Sequence, residues 1–261
     1  MPDPGHLPPL LAGKKALVVG VANESSIAWG CASAMRKAGA DIAMTYLNER
    51  AKPYVEPLAR QVEAPIFMPL EVRDPAQVDA LFEAIEKTWG RMDILVHSIA
   101  FAPKEALHGR VVDCPRDGFL AAMDVSCWSF LDLAHRAEPL MKDGGAMLTM
   151  SYLGANEVVD NYGIMGPVKA ALESAVRYVA AELGPKGIRV HAVSPGPLAT
   201  RAASGIKDFD KVMENVASRA PMRRLVTIEE VGAACVFLAC DHATAMTGET
   251  LYVDGGYHIL A

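Results

Sequence analysis

Short apolar runs alternate along this chain with longer segments in which apolar residues recur at helical spacing. The run from Met92 to Ala100 is nearly continuous, which is typical of a strand buried on both faces. Comparable runs occupy 15–20, 41–46, 66–70, 146–150, 188–194 and 249–253. Strands that alternate with helices favour a parallel sheet with a helix in each crossover.

This alternation predicts an α/β chain, a single-domain Rossmann-type doubly wound parallel sheet of about seven strands with helices on both faces. Crossovers in such sheets are right-handed, so the carboxyl ends of all strands lie on one edge. We therefore expect Gly20, Glu71, Ser98 and Ser151 on the same side of the molecule. Open α/β sheets bind ligands at that edge, which predicts a cofactor cleft there.

Length and composition indicate the number of domains, the kinds of partner and the location of the protein. With 261 residues and apolar runs over the whole length, we expect one domain at 13–261 after a loosely ordered lead-in at 1–12. The net charge of -6 argues against nucleic-acid binding. The five cysteines include no Cys-x-x-Cys pair and read as reduced core thiols. We see no signal peptide and no run long enough for membrane insertion, and we predict a cytoplasmic protein without a metal.

The first strand is followed by a polar loop and an amphipathic helix at 27–39. Glycines let backbone N–H groups approach a phosphate, and the helix dipole favours negative charge. The spacing Gly20-x5-Ser26-Ile27-x2-Gly30 differs, however, from the dinucleotide fingerprint Gly-x-Gly-x-x-Gly. A tight turn without a ligand is therefore the alternative interpretation.

The second strand ends where a Rossmann-type unit places its ribose-recognising residue. The residues directly after it, Leu47 and Asn48, carry no positive charge for a 2′-phosphate. The absence of a positive charge at these two positions favours NADH over NADPH as the cofactor. Arg50 is the residue that would reverse this preference, if it bound the 2′-phosphate.

The segment from Tyr152 to Lys169 joins the strand at 146–150 to a long apolar-striped helix. Phenols can donate to an oxygen on which charge develops, and a lysine can clamp a cofactor hydroxyl. On an unbroken helix, Tyr162 and Lys169 would lie two turns apart, so Lys169 would reach a cofactor rather than Tyr162. Pro167 predicts that the helix begins or bends nearby. Interfacial tyrosines with a solvated lysine are the alternative.

Two other features have open interpretations. His97 ends a predicted strand and is either a general acid or, as is commoner, a hydrogen-bonded structural histidine. The loop after Ser194 is rich in small residues and leads into a helix. We expect a mobile substrate-binding loop and helix at about 198–219, with a plain connection as the alternative.

Several of these motifs together carry a family resemblance. The motifs are the turn at 20–30 with Gly20, Ser26 and Ile27, the run His97–Pro103, Ser151–Gly154, Tyr162-x6-Lys169, 202–206 and Val253–Gly256. Because all of these motifs occur together, the chain from about Gly13 onward resembles the enoyl-[acyl-carrier-protein] reductases of bacterial type II fatty acid synthesis. These are a divergent branch of the short-chain dehydrogenase/reductases. The commoner Tyr-x3-Lys pattern is absent because position 166 is glycine.

The resemblance implies an enzyme that transfers hydride from NADH to the β-carbon of an enoyl thioester. Tyr162 would stabilise the enolate, Tyr152 would be a second active-site phenol, and Lys169 would hold the nicotinamide ribose. Ala102, with the two phenols, would contact the substrate. The implied cofactor-binding residues are Gly20, Ser26, Ile27, Leu47, Glu71, Val72, Ile99, Lys169, Leu198, Ala199, Thr200, Arg201 and Ala202. Family members often have Gln at position 47 and Asp at position 71, so adenosine contacts are open to rearrangement.

The resemblance also implies partners. The acidic acyl carrier protein would dock on the cations Lys207, Lys211, Arg201 and Arg224, and the chain would form a homotetramer through its long helices. Two rival functions remain. One is another short-chain dehydrogenase or ketoreductase, and the other is a non-catalytic nucleotide-sensing protein on the same fold.

Overall fold

A seven-stranded parallel sheet forms the centre of the computed structural model, which describes residues 9–200 and 208–260. Its strands are β1 (Lys15–Val19), β2 (Asp41–Tyr46), β3 (Ile66–Pro69), β4 (Ile94–His97), β5 (Gly145–Met150), β6 (Ile188–Pro195) and β7 (Thr250–Val253). They run in the order β3-β2-β1-β4-β5-β6-β7, and every neighbouring pair is parallel. The predicted fold class is confirmed.

Helices cover both faces of this sheet. They are α1 (Ile27–Lys37), α2 (Lys52–Gln61), α3 (Pro75–Trp89), α4 (Lys104–Leu107), α5 (Arg116–Met123), α6 (Ser129–Ala137), α7 (Met165–Leu183), α8 (Phe209–Arg219) and α9 (Ile228–Ala239). Because strand side chains alternate, Leu17 of β1 packs with α3, α6 and α7, whereas Val18 packs with α1, α2 and α9. The sheet is therefore buried between two apolar cores.

Two boundaries differ from the sequence expectations, and one helical stretch is interrupted. A π-helical turn, Asp124–Trp128, separates α5 from α6, and there the Ser126 hydroxyl accepts from the N–H of Phe101 and donates to its carbonyl. At this turn the Ser129 hydroxyl donates to the Val125 carbonyl at 2.7 Å, a local side-chain bond of the kind that competes with helical backbone bonds. The strand expected at 92–100 covers only Ile94–His97. Packing begins before residue 13, since Leu11 is fully buried and donates its N–H to Ala38.

Close packing of α1 against α9 fixes the position of the first helix. A Cβ atom at Gly30 would lie 2.3 Å from the carbonyl oxygen of Ile228, and one at Gly232 would lie 2.4 Å from the carbonyl of Gly30. The Sγ atoms of Cys31 and Cys235 approach to 3.6 Å across the same contact, and all five cysteines are free thiols. Glycines at this crossing let the two backbones touch.

Candidate active site

The first functional feature lies between β1 and β4, where the strand order reverses. Gly20 follows β1 with φ +104°, and a Cβ atom there would lie 2.0 Å from the Ser98 carbonyl oxygen. Oγ of Ser26 accepts hydrogen bonds from the N–H groups of Ala22 and Asn23, both at 3.0 Å, directly before α1. The Ser26 hydroxyl thus shapes the turn. A glycine turn and helix N-terminus at a switch point have the form of a phosphate-binding site.

Two phenol rings meet beside the carboxyl end of β5. Tyr152 and Tyr162 have ring centroids 4.8 Å apart, with planes inclined at 59°. A Cβ atom on Gly154 would lie 2.4 Å from the Tyr162 ring, so only glycine leaves room for this pair. Burial raises the pKa of Tyr152 to about 12 and also raises the pKa of Tyr162. Both phenols therefore keep their protons at neutral pH and can donate hydrogen bonds.

Lys169 lies on the first turns of α7 and lines the same cavity as the two phenols. Its side chain is 4% exposed, and Nζ donates to the Met150 carbonyl oxygen at 2.7 Å. Burial lowers the pKa of Lys169 to about 8, against the charges of Cys127 and Glu173, which raise it. The alternative of a solvated lysine is wrong for this residue. A buried lysine with a lowered pKa beside a cleft is typical of a functional site.

The geometry of the Tyr162–Lys169 step also differs from an unbroken helix. Tyr162 lies in the loop before α7, which begins at Met165. Pro167 therefore falls in the first turn, where its missing N–H has no intrahelical partner to lose. The expectation that the helix begins or bends near Pro167 is confirmed.

One cavity of about 480 Å³ brings the strand ends together. Among the sequence-predicted residues it is lined by Ile27, Ile99, Ala102, Tyr152, Tyr162, Lys169, Leu198 and Thr200. A larger cavity of about 960 Å³ is lined by 107–111 and 154–163 and shares Leu107 and Tyr162 with the first. We assign the chemistry to the smaller cavity because it contains the lysine and the strand ends. Mostly apolar walls with a few convergent polar groups are typical of cofactor sites.

Other predicted residues lie at the same edge but outside this cavity's lining. Leu47 follows β2 and is 53% exposed, and Val72 packs partly against the core. Glu71 follows β3 and accepts two hydrogen bonds from the Arg73 guanidinium at 3.2 Å, which lowers the pKa of Glu71. Ala199 is exposed. Arg201 and Ala202 lie outside the described residues, as do Lys207 and residues 1–8 of the lead-in expected at 1–12.

His97 lies inside the sheet rather than in the cleft. It is 1% exposed, and its two ring nitrogens are each 2.8 Å from a hydroxyl, of Thr149 and of Ser129. Burial lowers the pKa of His97 to about 3, and the nearby charge of Lys169 lowers it further. A neutral imidazole with both nitrogens bonded has a structural role, which is the commoner of the two interpretations.

Glu173 is a polar residue of this region that the sequence reading did not single out. It lies on the inner face of α7, 4% exposed, and bonds to Ser151 and Asn156. The available signal was its position four residues after Lys169, which places both on one helix face.

Within 9–200 and 208–260, no three His, Cys, Asp or Glu side chains are grouped as metal ligands would be. Over those residues no helix has the length and apolarity needed to cross a membrane.

A doubly wound parallel sheet, a glycine turn at its switch point and a phenol–lysine group in one cleft define a dinucleotide-dependent oxidoreductase. The sequence profile described as "Enoyl-(Acyl carrier protein) reductase" matches residues 20–258. Because this match spans most of the chain, the chain belongs to the enoyl-[acyl-carrier-protein] reductase family.

Individual relatives agree with this assignment. "Enoyl-[acyl-carrier-protein] reductase [NADH] 1" of Rhizobium meliloti is 47% identical over 249 residues, covering 95% of this chain and 92% of the relative. The crystal structure of the Anaplasma phagocytophilum enoyl reductase in complex with NAD is 44% identical with a TM-score of 0.94, covering 98% of this chain and 97% of that one. The Bacillus cereus reductase with NADP+ and an indole naphthyridinone is also 44% identical with a TM-score of 0.94, covering 97% and 99%.

Proposed function

We propose that this chain reduces the trans-2 double bond of enoyl thioesters on acyl carrier protein, with NADH as hydride donor, in the last step of the fatty acid elongation cycle. The observation that carries the proposal is that the Tyr152–Tyr162 pair and buried Lys169 line one cleft at the strand ends. Membership of the enoyl reductase family and the NADH named for the Rhizobium relative support the substrate and the cofactor.

The cleft fits a dinucleotide along the edge of the sheet. Gly20, Ser26 and Ile27 would form the pyrophosphate turn, Leu47, Glu71 and Val72 would lie on the adenosine side, Ile99 on the nicotinamide side, and Leu198–Ala202 over the diphosphate. The end of β2 favours NADH, because Leu47 and Asn48 offer no cation to a 2′-phosphate. The Glu49 carboxylate, which accepts from the Tyr46 hydroxyl at 3.3 Å and pairs with Lys52 at 3.7 Å, adds none. Lys169 would bind the ribose hydroxyls through the N–H groups that Met150 leaves free.

The phenols would act on the thioester carbonyl. NADH, when bound, supplies the hydride that adds to the β-carbon. Tyr162 would donate a hydrogen bond to the carbonyl oxygen, where the negative charge of the enolate develops, and such a preorganised donor is worth about 3 kcal/mol. Its raised pKa keeps the proton on the phenol, so Tyr162 stabilises the charge without losing its own proton. Protonation of the enolate at its α-carbon would complete the reduction. Tyr152 would be the second phenol, and Ala102 would contact the acyl chain.

A substrate comparison tests this function. Purified protein would be mixed with NADH, and separately with NADPH, and then with crotonyl thioester or acetoacetyl thioester. We expect crotonyl thioester to oxidise NADH. Oxidation by acetoacetyl thioester alone would indicate a ketoreductase, and dinucleotide binding without turnover of either compound would indicate a sensor.

The carrier protein would dock beside the cleft. Lys211 on α8 forms an ion pair with Asp208 at 3.2 Å, and Arg224 bonds through two nitrogens to Glu230. Arg201 and Lys207 would complete the patch. Reversing Lys207 and Lys211 to Glu should raise the Michaelis constant for carrier-linked substrate but not for its coenzyme A analogue, whereas Lys87→Glu on α3 should change neither. Equal effects on both substrates would reject the patch.

The oligomer would form through α5, α6 and α7. Large apolar side chains are exposed there, with Leu120 44%, Trp128 59% and Tyr178 71% accessible. Exposed apolar patches commonly mark subunit contacts. A homotetramer should therefore give four chain masses by light scattering, and Trp128→Glu should lower that mass. A cytoplasmic location remains our prediction from the sequence.

A further inference from the structure

A buried carboxyl group on α7 bonds to both sides of the segment that carries Tyr152. Oε1 of Glu173 accepts a hydrogen bond from the Ser151 hydroxyl at 2.5 Å, and Oε2 accepts one from the Asn156 amide at 3.0 Å. Ser151 directly precedes Tyr152, and Asn156 ends the 3₁₀ turn Leu153–Ala155 that follows it. One side chain therefore joins the two ends of the 151–156 segment.

The same face of α7 also holds the strand end before this segment. Lys169 and Glu173 are one helical turn apart, so their side chains lie one above the other. Lys169 bonds to the carbonyl of Met150, and Glu173 bonds to the hydroxyl of the next residue, Ser151. Consecutive residues at the end of β5 are thus fixed by consecutive turns of one helix.

Asn156 connects the segment to a second element. Besides its bond to Glu173, its amide donates to the hydroxyl of Tyr252 on β7 at 3.0 Å. The Tyr252 ring stacks on His258, with centroids 4.1 Å apart. The 151–156 segment is therefore tied to both α7 and the last strand.

Packing alone does not explain a carboxyl group at this position. A buried polar group costs free energy unless its hydrogen bonds are made, and an apolar side chain would fill the same space without that cost. Both oxygens of Glu173 are directed to the segment around Tyr152 rather than to the sheet. What the carboxyl group adds is a defined position for that segment.

We infer that Glu173 is a positioning residue that fixes Tyr152 against Tyr162 through Ser151 and Asn156. This inference rests on the proposed reduction, because Tyr152 matters only if the phenol pair acts on substrate. A displacement of about 1 Å in a catalytic group can cost on the order of 100-fold in rate. Glutamine at position 173 has one oxygen and one NH2 group, so it can accept from Asn156 only if its NH2 group donates to the Ser151 hydroxyl, which must then turn to accept. Both bonds would also lose the negative charge of the carboxylate and become weaker.

The test is a double-mutant cycle between Glu173→Gln and Tyr152→Phe. We expect Glu173→Gln to lower kcat/KM for crotonyl thioester by about 10- to 100-fold. The NADH dissociation constant, measured at about pH 6, should change less than about threefold, because the pyrophosphate turn lies on other elements and Lys169, whose pKa the Glu173 charge raises, keeps its proton at that pH. In the Tyr152→Phe background the same substitution should have almost no further effect. Glu182→Gln, the same change at an exposed position of α7, is the matched control and should be silent.

The outcomes separate the possible roles. An equal loss in both backgrounds, or no loss at all, would overturn the inference and leave Glu173 a purely structural residue. Should Glu173→Gln fail to fold, Asn156→Ala removes the same contact from the surface, and its coupling to Tyr152→Phe decides by the same criterion. An inactive wild type and control would instead reject the proposed function, and the inference with it.

Discussion

Replacing Gly30 with alanine tests the contact that fixes α1 beneath the phosphate-binding turn. The added Cβ atom would lie 2.3 Å from the carbonyl oxygen of Ile228 and 2.7 Å from its carbonyl carbon. Both are backbone atoms, so no side-chain rotation can relieve the contact. The helices α1 and α9 would have to separate, and the start of α1 would move with them.

The cost follows from the geometry. Overpacking a core by one methyl group costs about 1–3 kcal/mol, and a clash with backbone belongs at the upper end of that range. About 3 kcal/mol corresponds to a fall in Tm of roughly 6–12 °C for a chain of this size. Gly184→Ala is the matched control, since no heavy atom lies within 4 Å of its Cβ position. It should leave Tm unchanged or raise it slightly, because alanine restricts the unfolded chain.

Thermal unfolding followed by circular dichroism measures the stability change, and titration with NADH measures its effect on the site. We expect Gly30→Ala to lower Tm and to weaken NADH binding by several-fold, because the N–H groups of the turn move with α1. A Gly30→Ala protein with the Tm of wild type would refute the close contact. Lower Tm with unchanged NADH affinity would refute the link between this contact and the cofactor turn.

Two further predictions concern titratable groups near the cleft. Burial lowers the pKa of Lys169 to about 8, so kcat/KM with NADH should fall as pH rises through about 8, where Lys169 loses its charge. Lys169→Arg should show no such decline, because the pKa of arginine is above about 12. Tyr162 cannot cause that decline, since its own pKa is raised. His97→Asn should cost about 1–3 kcal/mol in thermal unfolding through lost bonds to Thr149 and Ser129, and should leave the shape of the pH–rate profile unchanged. A shifted profile would indicate a catalytic histidine.

The sheet and its functional edge were predictable from the sequence because strands in a parallel sheet are buried on both faces. Val96 and its neighbours form an apolar run that a surface element would not have. Because crossovers in parallel sheets are right-handed, the sequence alone predicts that Gly20, Ser98 and Ser151 lie on one edge of the sheet. Boundaries were less accurate, because contacts such as the bond between Ser126 and Phe101 join residues that are distant in sequence.

Long-range polar contacts explain what the sequence did not reveal. Glu173 reads as one of many charges on a helix face, and only the folded chain brings Asn156 and Ser151 to its two oxygens. The bond from Lys169 to Met150 likewise joins residues on different elements. Such pairings depend on how the helix docks on the sheet, which apolar spacing defines only to within a turn.

The central claim is that Tyr162 stabilises the enolate during NADH-dependent enoyl reduction. Its most direct test is NADH oxidation by crotonyl thioester in wild type, Tyr162→Phe and the control Tyr54→Phe, each with NADH binding measured in parallel; Tyr54 is exposed on α2. We predict that wild type and Tyr54→Phe are equally active, and that Tyr162→Phe binds NADH normally but loses about 100- to 1,000-fold in kcat. A Tyr162→Phe protein that oxidises NADH at the wild-type rate would contradict the account.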